Sequence, residues 1–405
     1  MPDMVAETRY QMTPLELAAG TVFGIDPDTP PLPEVPPGLT ARAALEKVVL
    51  SALLRPPCIV SFSGGRDSSA VLALATHVAR REGLPLPVPV SMRFPHCKTA
   101  DEDAWQELLV GHLRLPDWTR LSFDHELDTV GPYAQAVLNR HGPLFPSNAH
   151  AHLPVVEQAP GGTLLTGFGG DELLDPGWAW HRVNQVLVGR RRMRRRDLVR
   201  IAVAYGPAPL RRVALRRRFR NIPPRSWLRP DAQRRLADAD LDDLVAEPVR
   251  WDIGVDVAWW RLRYRRVIED SLERVGQMHR VAVQHPLADG LVLAAVAREA
   301  GRAGFGDRTK AMEHLVGDLL PAEVAARSTK AVMTGAFWNR HAAGFAASWD
   351  GTGVDPDLVD VNALRERWMG TGRQMDDRTG SLLQSAWLAG RRPSAAGTAG
   401  LPTGR

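Results

Sequence analysis

Cysteine is almost absent from this chain of 405 residues: only Cys58 and Cys97 occur, far apart and without the paired spacing of a metal knuckle. Neither a disulfide framework nor a zinc site is therefore expected, and Cys58, inside an apolar, β-prone run, reads as a small buried hydrophobe. Lysine is scarce too, with Lys47, Lys98, Lys310 and Lys330 the four among 51 lysines and arginines. Where arginine fills nearly every basic position, a remaining lysine carries information, because a compact ammonium is not interchangeable with a planar guanidinium at a tight phosphate site. No apolar run approaches the length of a bilayer span, and the opening "MPDMVAETRYQM" has neither the basic region nor the apolar core of a secretory signal. A cytoplasmic location with no membrane partner is expected, and no internal repeat is visible.

What is present is enough apolar material, 44% of residues, to bury a sizeable core, in a length that suits two or three domains. Net charge is +5, and the excess is local, in "GRRRMRRRDLVR" (Gly189 to Arg200) and "LRRVALRRRFR" (Leu210 to Arg220). Two readings stand for this stretch: a solvated arginine face, or a site for an acidic partner such as a peptide or carrier. The little aromatic interleaving makes nucleic acid the less expected partner. Residues 1–40 read as an arm ending in the proline-rich linker "DPDTPPLPEVPPG". An α/β core is expected over 41–185, an arginine-rich helical segment over 186–250, a helical region over 251–350 and a C-terminal extension over 351–405. The extension ends in "AGRRPSAAGTAGLPTGR", too poor in bulky apolar residues to pack and expected to be disordered.

Within the core, "TARAALEKVVLSALL" has helical period behind the capping residue Thr40, and "CIVSF" follows as a strand. Further strands are read in "LPVPVSMRF", "WTRLSF" and "GTLLTG", with a helix over "DEDAWQELLVGHLRL". Strands alternating with helices predict an α/β fold with a doubly wound parallel sheet, in which ligands sit beyond the carboxyl ends of the strands. Farther on, one long helix is expected from Trp251 through "WDIGVDVAWWRLRYRRVIEDSLERV", with others over "LADGLVLAAVAREA" and "RTKAMEHLVGDLL".

Two strand-to-helix turns carry chemistry. In "SFSGGRDSSAVLA" the hydroxyls of Ser63, Ser68 and Ser69 and the backbone amides of Gly64 and Gly65 face a helix N-terminus, which attracts an oxyanion. The Walker spacing and its lysine are missing, so this is a different phosphate cradle. Asp67 sets a carboxylate beside it, which calls for a metal between carboxylate and polyphosphate; Mg²⁺ joins one or two carboxylates to phosphate oxygens. Asp171, in the second turn "LLTGFGGDELL", is the other expected metal ligand, and Glu172 a weaker one. Either turn taken singly is also what an ordinary strand-to-helix connection looks like.

The first turn resembles the pyrophosphate loop of the ATP pyrophosphatases, of HUP-like fold, and the second resembles a signature of the asparagine synthetase branch, in its synthetase domain. "RVAVQHPLADGLVLAAV" is similar to that branch's Pro-Phe-Leu-Asp segment and puts Asp289 at its aspartate. "LLPAEVAARSTKAVMTGAF" resembles the stretch with the pyrophosphate-contacting lysine, here Lys330. The resemblance covers roughly residues 41 to 345. It implies binding of ATP with Mg²⁺, adenylation of a carboxylate, release of pyrophosphate, and displacement of AMP by an amine. Ser63, Gly64, Gly65, Ser68, Ser69 and Lys330 are then expected on the phosphates, Asp67 and Asp171 on the metal, and Lys330 and Asp171 in the catalytic step. Thr166 and Gly167 would lie near the ribose or α-phosphate. Met92 lines the adenine pocket or is a core methionine; the sequence leaves both open.

Three departures separate the chain from amidotransferring asparagine synthetases. Pro2 stands where they carry a catalytic cysteine, Phe168 where they carry a glutamate in the second signature, and "LDPGW" where that signature ends in an aromatic and glycine. The expected function is therefore an amide ligase of specialised metabolite or peptide maturation, like the β-lactam synthetases and lasso-peptide macrolactam synthetases on this scaffold, acting on a carboxylate and an amine. Other ATP-pyrophosphatase chemistry on tRNA or nucleotides, and a non-catalytic nucleotide-binding protein, are the alternative readings.

Overall fold

Cys58, Ile59 and Val60 are apolar, consecutive and buried, as a strand covered on both faces requires. They form β1 (Cys58–Ser61), the centre of a sheet that also contains β2 (Val88–Arg93), β3 (Thr119–Ser122), β4 (Thr163–Leu165) and β5 (Ala282–Gln284). The computed structural model describes residues 10–174, 179–219, 223–370 and 377–391. Residues 1–9 of the expected arm, the "DPGW" of the third departure and residues 392–405 of the expected tail lie outside the described residues.

The strand order is β3-β2-β1-β4-β5 and every pairing is parallel. The chain winds outward from β1 in one direction through β2 and β3, then crosses to the other side of β1 for β4. The switch point therefore lies between β1 and β4, where the carboxyl ends of two neighbouring strands diverge and leave a crevice. The doubly wound α/β expectation holds. β5 is a fifth strand that periodicity did not reveal, since its three residues are too short to alternate and take their place by pairing with β4.

Helix Ala41–Leu53 is capped by Thr40, whose hydroxyl accepts from the Ala43 amide at 3.1 Å, and buries Ala41, Ala44, Leu45, Val49 and Ala52 at helical spacing. Helix Arg66–Glu82 follows β1 and is buried over most of its length, from Ser68 to Ala79, until Gly83 closes it in the left-handed conformation. Both helices and Gly290–Ala300 share the largest apolar cluster with β1.

The long helix expected from Trp251 is interrupted. Helix Trp251–Val255 runs into a π turn, Asp256–Trp260, and helix Arg263–Gln277 starts anew. The break has a tertiary cause: Leu262 is extended and bridges Ile25, while Asp26 N–H donates to the Arg261 carbonyl at 2.7 Å and Arg263 N–H to that of Gly24 at 3.0 Å. The arginine-rich segment contains helices His181–Leu187, Arg195–Ala204, Ala208–Phe219 and Pro230–Ala246, around a small core of Trp180, Val183, Ala204, Leu215 and Leu241. Among the described residues no helix is long and apolar enough to cross a membrane.

Candidate active site

The two glycine turns leave adjacent strand ends and press against each other. Gly64 has φ of 82°, a conformation that side chains disfavour, and it turns the chain from β1 into helix Arg66–Glu82. No side chain caps that helix, because Gly65 stands at its N-cap, so its first amides remain for an anion. Around them, Ser63 Oγ and Ser68 Oγ lie 3.1 Å apart, Ser68 Oγ donates to the Gly65 carbonyl at 3.1 Å, and Gly65 N–H donates to Ser63 Oγ at 3.3 Å. Opposite, a Cβ on Gly167 would come within 2.8 Å of the Ser68 nitrogen, and one on Gly170 would overlap the Asp67 carboxyl. The second turn carries glycine because the first fills the space beside it.

This packing brings Asp67 and Asp171 to one point, occupied by a residue the sequence reading missed. Arg308 donates through Nη2 to both oxygens of Asp67, at 2.5 Å to Oδ1, and through Nη1 to Asp171 Oδ1 at 2.5 Å. Lys330 Nζ donates to Asp171 Oδ2 at 2.6 Å, so the lysine meets the second turn across the crevice. One arginine in an arginine-biased chain gives no signal; only its place at the start of helix Arg308–Val316, after the capping Asp307, singles it out.

The electrostatics follow from burial and these partners. Burial pushes the Asp67 carboxyl above its ordinary value, with the Asp171 charge adding to the rise and Arg308 opposing it. For Asp171 burial also pushes upward, but hydrogen bonds from Lys330 and Arg308 prevail and hold it below the usual range. Glu172 is pushed up by burial and by the neighbouring Asp171 and Asp67 charges. Among the described residues no cluster of three or more metal-binding side chains exists. Two carboxylates converging on one cation, with remaining positions left to phosphate and water, nevertheless fit Mg²⁺ well.

A second missed group holds the lysine's segment in place. Arg327 is 6% exposed, forms a fork with Glu102 (2.6 Å from Nη2 to Oε1), and donates to the Gly64 carbonyl at 2.8 Å while its guanidinium stacks 4.6 Å from the Trp105 ring. Gln106 Nε2 adds a 3.2 Å bond to the Ser63 carbonyl. The signal available for Arg327 was its position three residues before Lys330.

The other expected residues divide. Thr166 Oγ1 lies 2.6 Å from His285 Nδ1 and also accepts from the Phe168 amide, which fixes the end of β4. Ser69 is fully buried, and its hydroxyl has no hydrogen-bond partner among the described residues. Met92, on β2, is partly buried against two apolar clusters. Asp289 caps helix Gly290–Ala300, accepting from the Leu291 amide at 2.9 Å and the Val292 amide at 3.2 Å. Phe168 packs edge-on to His285 (5.3 Å) and at an angle to Trp259 (5.8 Å).

No curated protein matches the sequence. A family model described as asparagine synthase matches residues 40–376, a range that contains β1 to β5, both glycine turns, Arg308 and Lys330. The chain therefore belongs to the asparagine synthase family, and its activity is of the ATP-dependent ligase type.

Proposed function

We propose that the protein is an AMP-forming carboxylate–amine ligase. One observation carries the reading: Asp67, Asp171, Arg308 and Lys330 meet beyond the ends of β1 and β4, beside an uncapped helix start lined by Ser63, Gly64, Gly65 and Ser68. Such a site suits a polyphosphate whose β- and γ-phosphates lie in the turn, with the α-phosphate toward the crevice. A substrate carboxylate oxygen attacks the α-phosphorus, the bond to the bridging oxygen breaks, and pyrophosphate leaves. The amine nitrogen then attacks the acyl carbon, AMP departs with the C–O bond, and the nitrogen gives up a proton. Mg²⁺ held by Asp67 and Asp171 would neutralise phosphate charge.

Within this chain's own residues, Lys330 supplies a mobile charge to the leaving pyrophosphate, being 79% exposed along its side chain and tethered by one bond to Asp171. Arg308 occupies the cation position between the two carboxylates, the same carboxylates that would hold Mg²⁺ when it is bound. Phe168 cannot move a proton and presents an apolar face, which favours an acceptor other than the aspartate and ammonia of asparagine synthesis. An amine within a metabolite or peptide, as in the β-lactam and lasso-peptide macrolactam synthetases, suits it.

The test is product identity with ATP labelled in turn at the α- and γ-phosphates, in the presence of Mg²⁺ and a panel of amino-carboxylate substrates. Labelled AMP and pyrophosphate are expected, together with substrate-dependent exchange of pyrophosphate into ATP. ADP and phosphate as the sole products with a turned-over substrate would overturn the reading.

A further inference from the structure

We propose that the arginine-rich helical segment is a docking surface for an acidic peptide segment that also carries apolar side chains. Of the 13 large hydrophobic residues exposed among the described residues, eight fall between Leu187 and Val213. Val199 is 65% exposed, Leu198 58% and Val213 56%, values that a self-contained helical face has no reason to keep. Helix Arg195–Ala204 has two distinct faces. Asp197 and Ala204 point inward, while Leu198 and Tyr205 stand one above the other at the spacing of two helical turns on the outer side, with Val199 beside them. Helix Ala208–Phe219 repeats the arrangement, with Leu215 inward and Leu210 and Val213 outward.

The charges around this apolar strip are only partly compensated. Between Gly189 and Arg200 there are seven arginines and one acid, Asp197, which is buried and already bound by Arg182 and Arg200. Arg212 and Arg216 use Asp238 and Asp242. Arg191, Arg192, Arg195, Arg196 and Arg217 are exposed and form no ion pair with any described residue. A partner that satisfies both features must bring carboxylates for the guanidinium forks and apolar groups for the strip, which a peptide does. Nucleic acid would answer only the charge, and among the described residues Tyr205 alone offers an exposed aromatic for a base to stack on. A bilayer surface would favour tryptophan and phenylalanine on the apolar side, and the exposed residues of the strip among the described ones include neither.

The face is also connected to the active site. Gln185 Nε2 donates to the Ala303 carbonyl at 2.9 Å and Arg190 Nη1 to that of Gly304 at 2.6 Å, and the loop so gripped runs through Asp307 into Arg308. A peptide held on the strip is thus one short loop from the crevice, which makes it a substrate or a carrier of one; that last step rests on the ligase reading, the docking itself does not.

The experiment is fluorescence anisotropy with the full chain and a fluorescein-labelled peptide of repeated Glu-Glu-Leu-Leu, at low salt and without ATP. Saturable binding is expected, weakened about tenfold or more when Gln replaces Glu or Ser replaces Leu in the peptide. The same loss is expected in the double variants R195Q/R196Q and L198S/V199S, with retained binding of a labelled ATP analogue reporting an intact fold. Absence of saturable binding overturns the proposal, as does tighter binding to mixed-sequence single-stranded DNA or to phosphatidylglycerol vesicles. Equal binding of the Ser-substituted peptide overturns it too, because charge alone would then account for the interaction. Since ATP is absent, a negative result here leaves the ligase reading standing, and failure to form AMP leaves the docking result standing.

Discussion

At the scale of single residues, Lys330 and Arg327 lie three positions apart and act by opposite physics. Lys330 is exposed with one hydrogen bond, so removing it should cost the fold little, whereas the proposed ligase mechanism puts its charge to use in the transition state. Lys330→Ala should lower kcat by about a hundredfold with little change in KM for ATP, and Lys330→Arg should fail nearly as badly; steady-state kinetics with chemistry shown to be rate-limiting checks this. Arg327 is buried on Glu102, so Arg327→Ala strands a buried carboxylate and should destabilise the protein by about 3–5 kcal/mol, read from urea unfolding. A third residue tests acid stability. Burial pushes the His152 imidazole down to about 4, with backbone hydrogen bonding opposing and the neighbouring His150 adding. Its folded value is below the unfolded one of 6.5, so its contribution is complete above pH 6.5 and is lost as pH falls toward 4. His152→Met should therefore lose less stability than wild type between pH 7.5 and pH 5, whatever its stability at pH 7.5; parallel slopes would refute the assignment.

At the scale of elements, the site is a contact between two turns rather than a property of either. Helix Arg66–Glu82 leaves its first amides open because glycine replaces a capping side chain, and the turn after β4 comes close enough to set Asp171 opposite Asp67 only because Gly170 has no Cβ. Gly170→Ala forces a methyl group onto the Asp67 carboxyl and must separate the turns. The expected result is a loss of about 1–3 kcal/mol in stability from overpacking, together with at least tenfold weaker binding of ATP in Mg²⁺ by calorimetry. Unchanged nucleotide affinity in a folded Gly170→Ala protein would mean that the two carboxylates do not act as a pair.

At the scale of the whole molecule, a second apolar cluster ties the first described helix, Pro14–Ala19, to the last, Gly380–Ala389. Trp227, Trp349, Trp368 and Trp387 bury with Leu15, Ala18 and Ala19 of helix Pro14–Ala19, and Trp227 Nε1 donates to the Ala18 carbonyl at 2.9 Å. This cluster reaches the segment that follows Lys330, since Gln384 Nε2 donates to the Thr129 carbonyl and Thr129 Oγ1 to that of Phe337. Trp227→Ala removes a fully buried ring and a buried hydrogen bond, so it should cost about 3–5 kcal/mol. By hydrogen exchange, its loosening should extend to residues 334–348, far from Trp227 in sequence.

The α/β class, four of the five strands, both glycine turns, the Thr40 cap and the singling out of Lys330, which the fold sets against Asp171, were legible in the sequence. Each rests on local chemistry: apolar runs bounded by glycine, a hydroxyl before a helical period, a rare lysine among arginines. Strand β5, the interruption at Arg261–Arg263, and the roles of Arg308 and Arg327 were not legible. β5 exists because β4 offers it an edge, the helix breaks because Ile25 takes Leu262 as a partner, and Arg308 matters because two carboxylates separated by 104 residues (171 − 67) close on it. Local propensity acts over a few neighbouring residues, whereas a charge or a backbone pair obeys distance in space, which only the folded chain supplies.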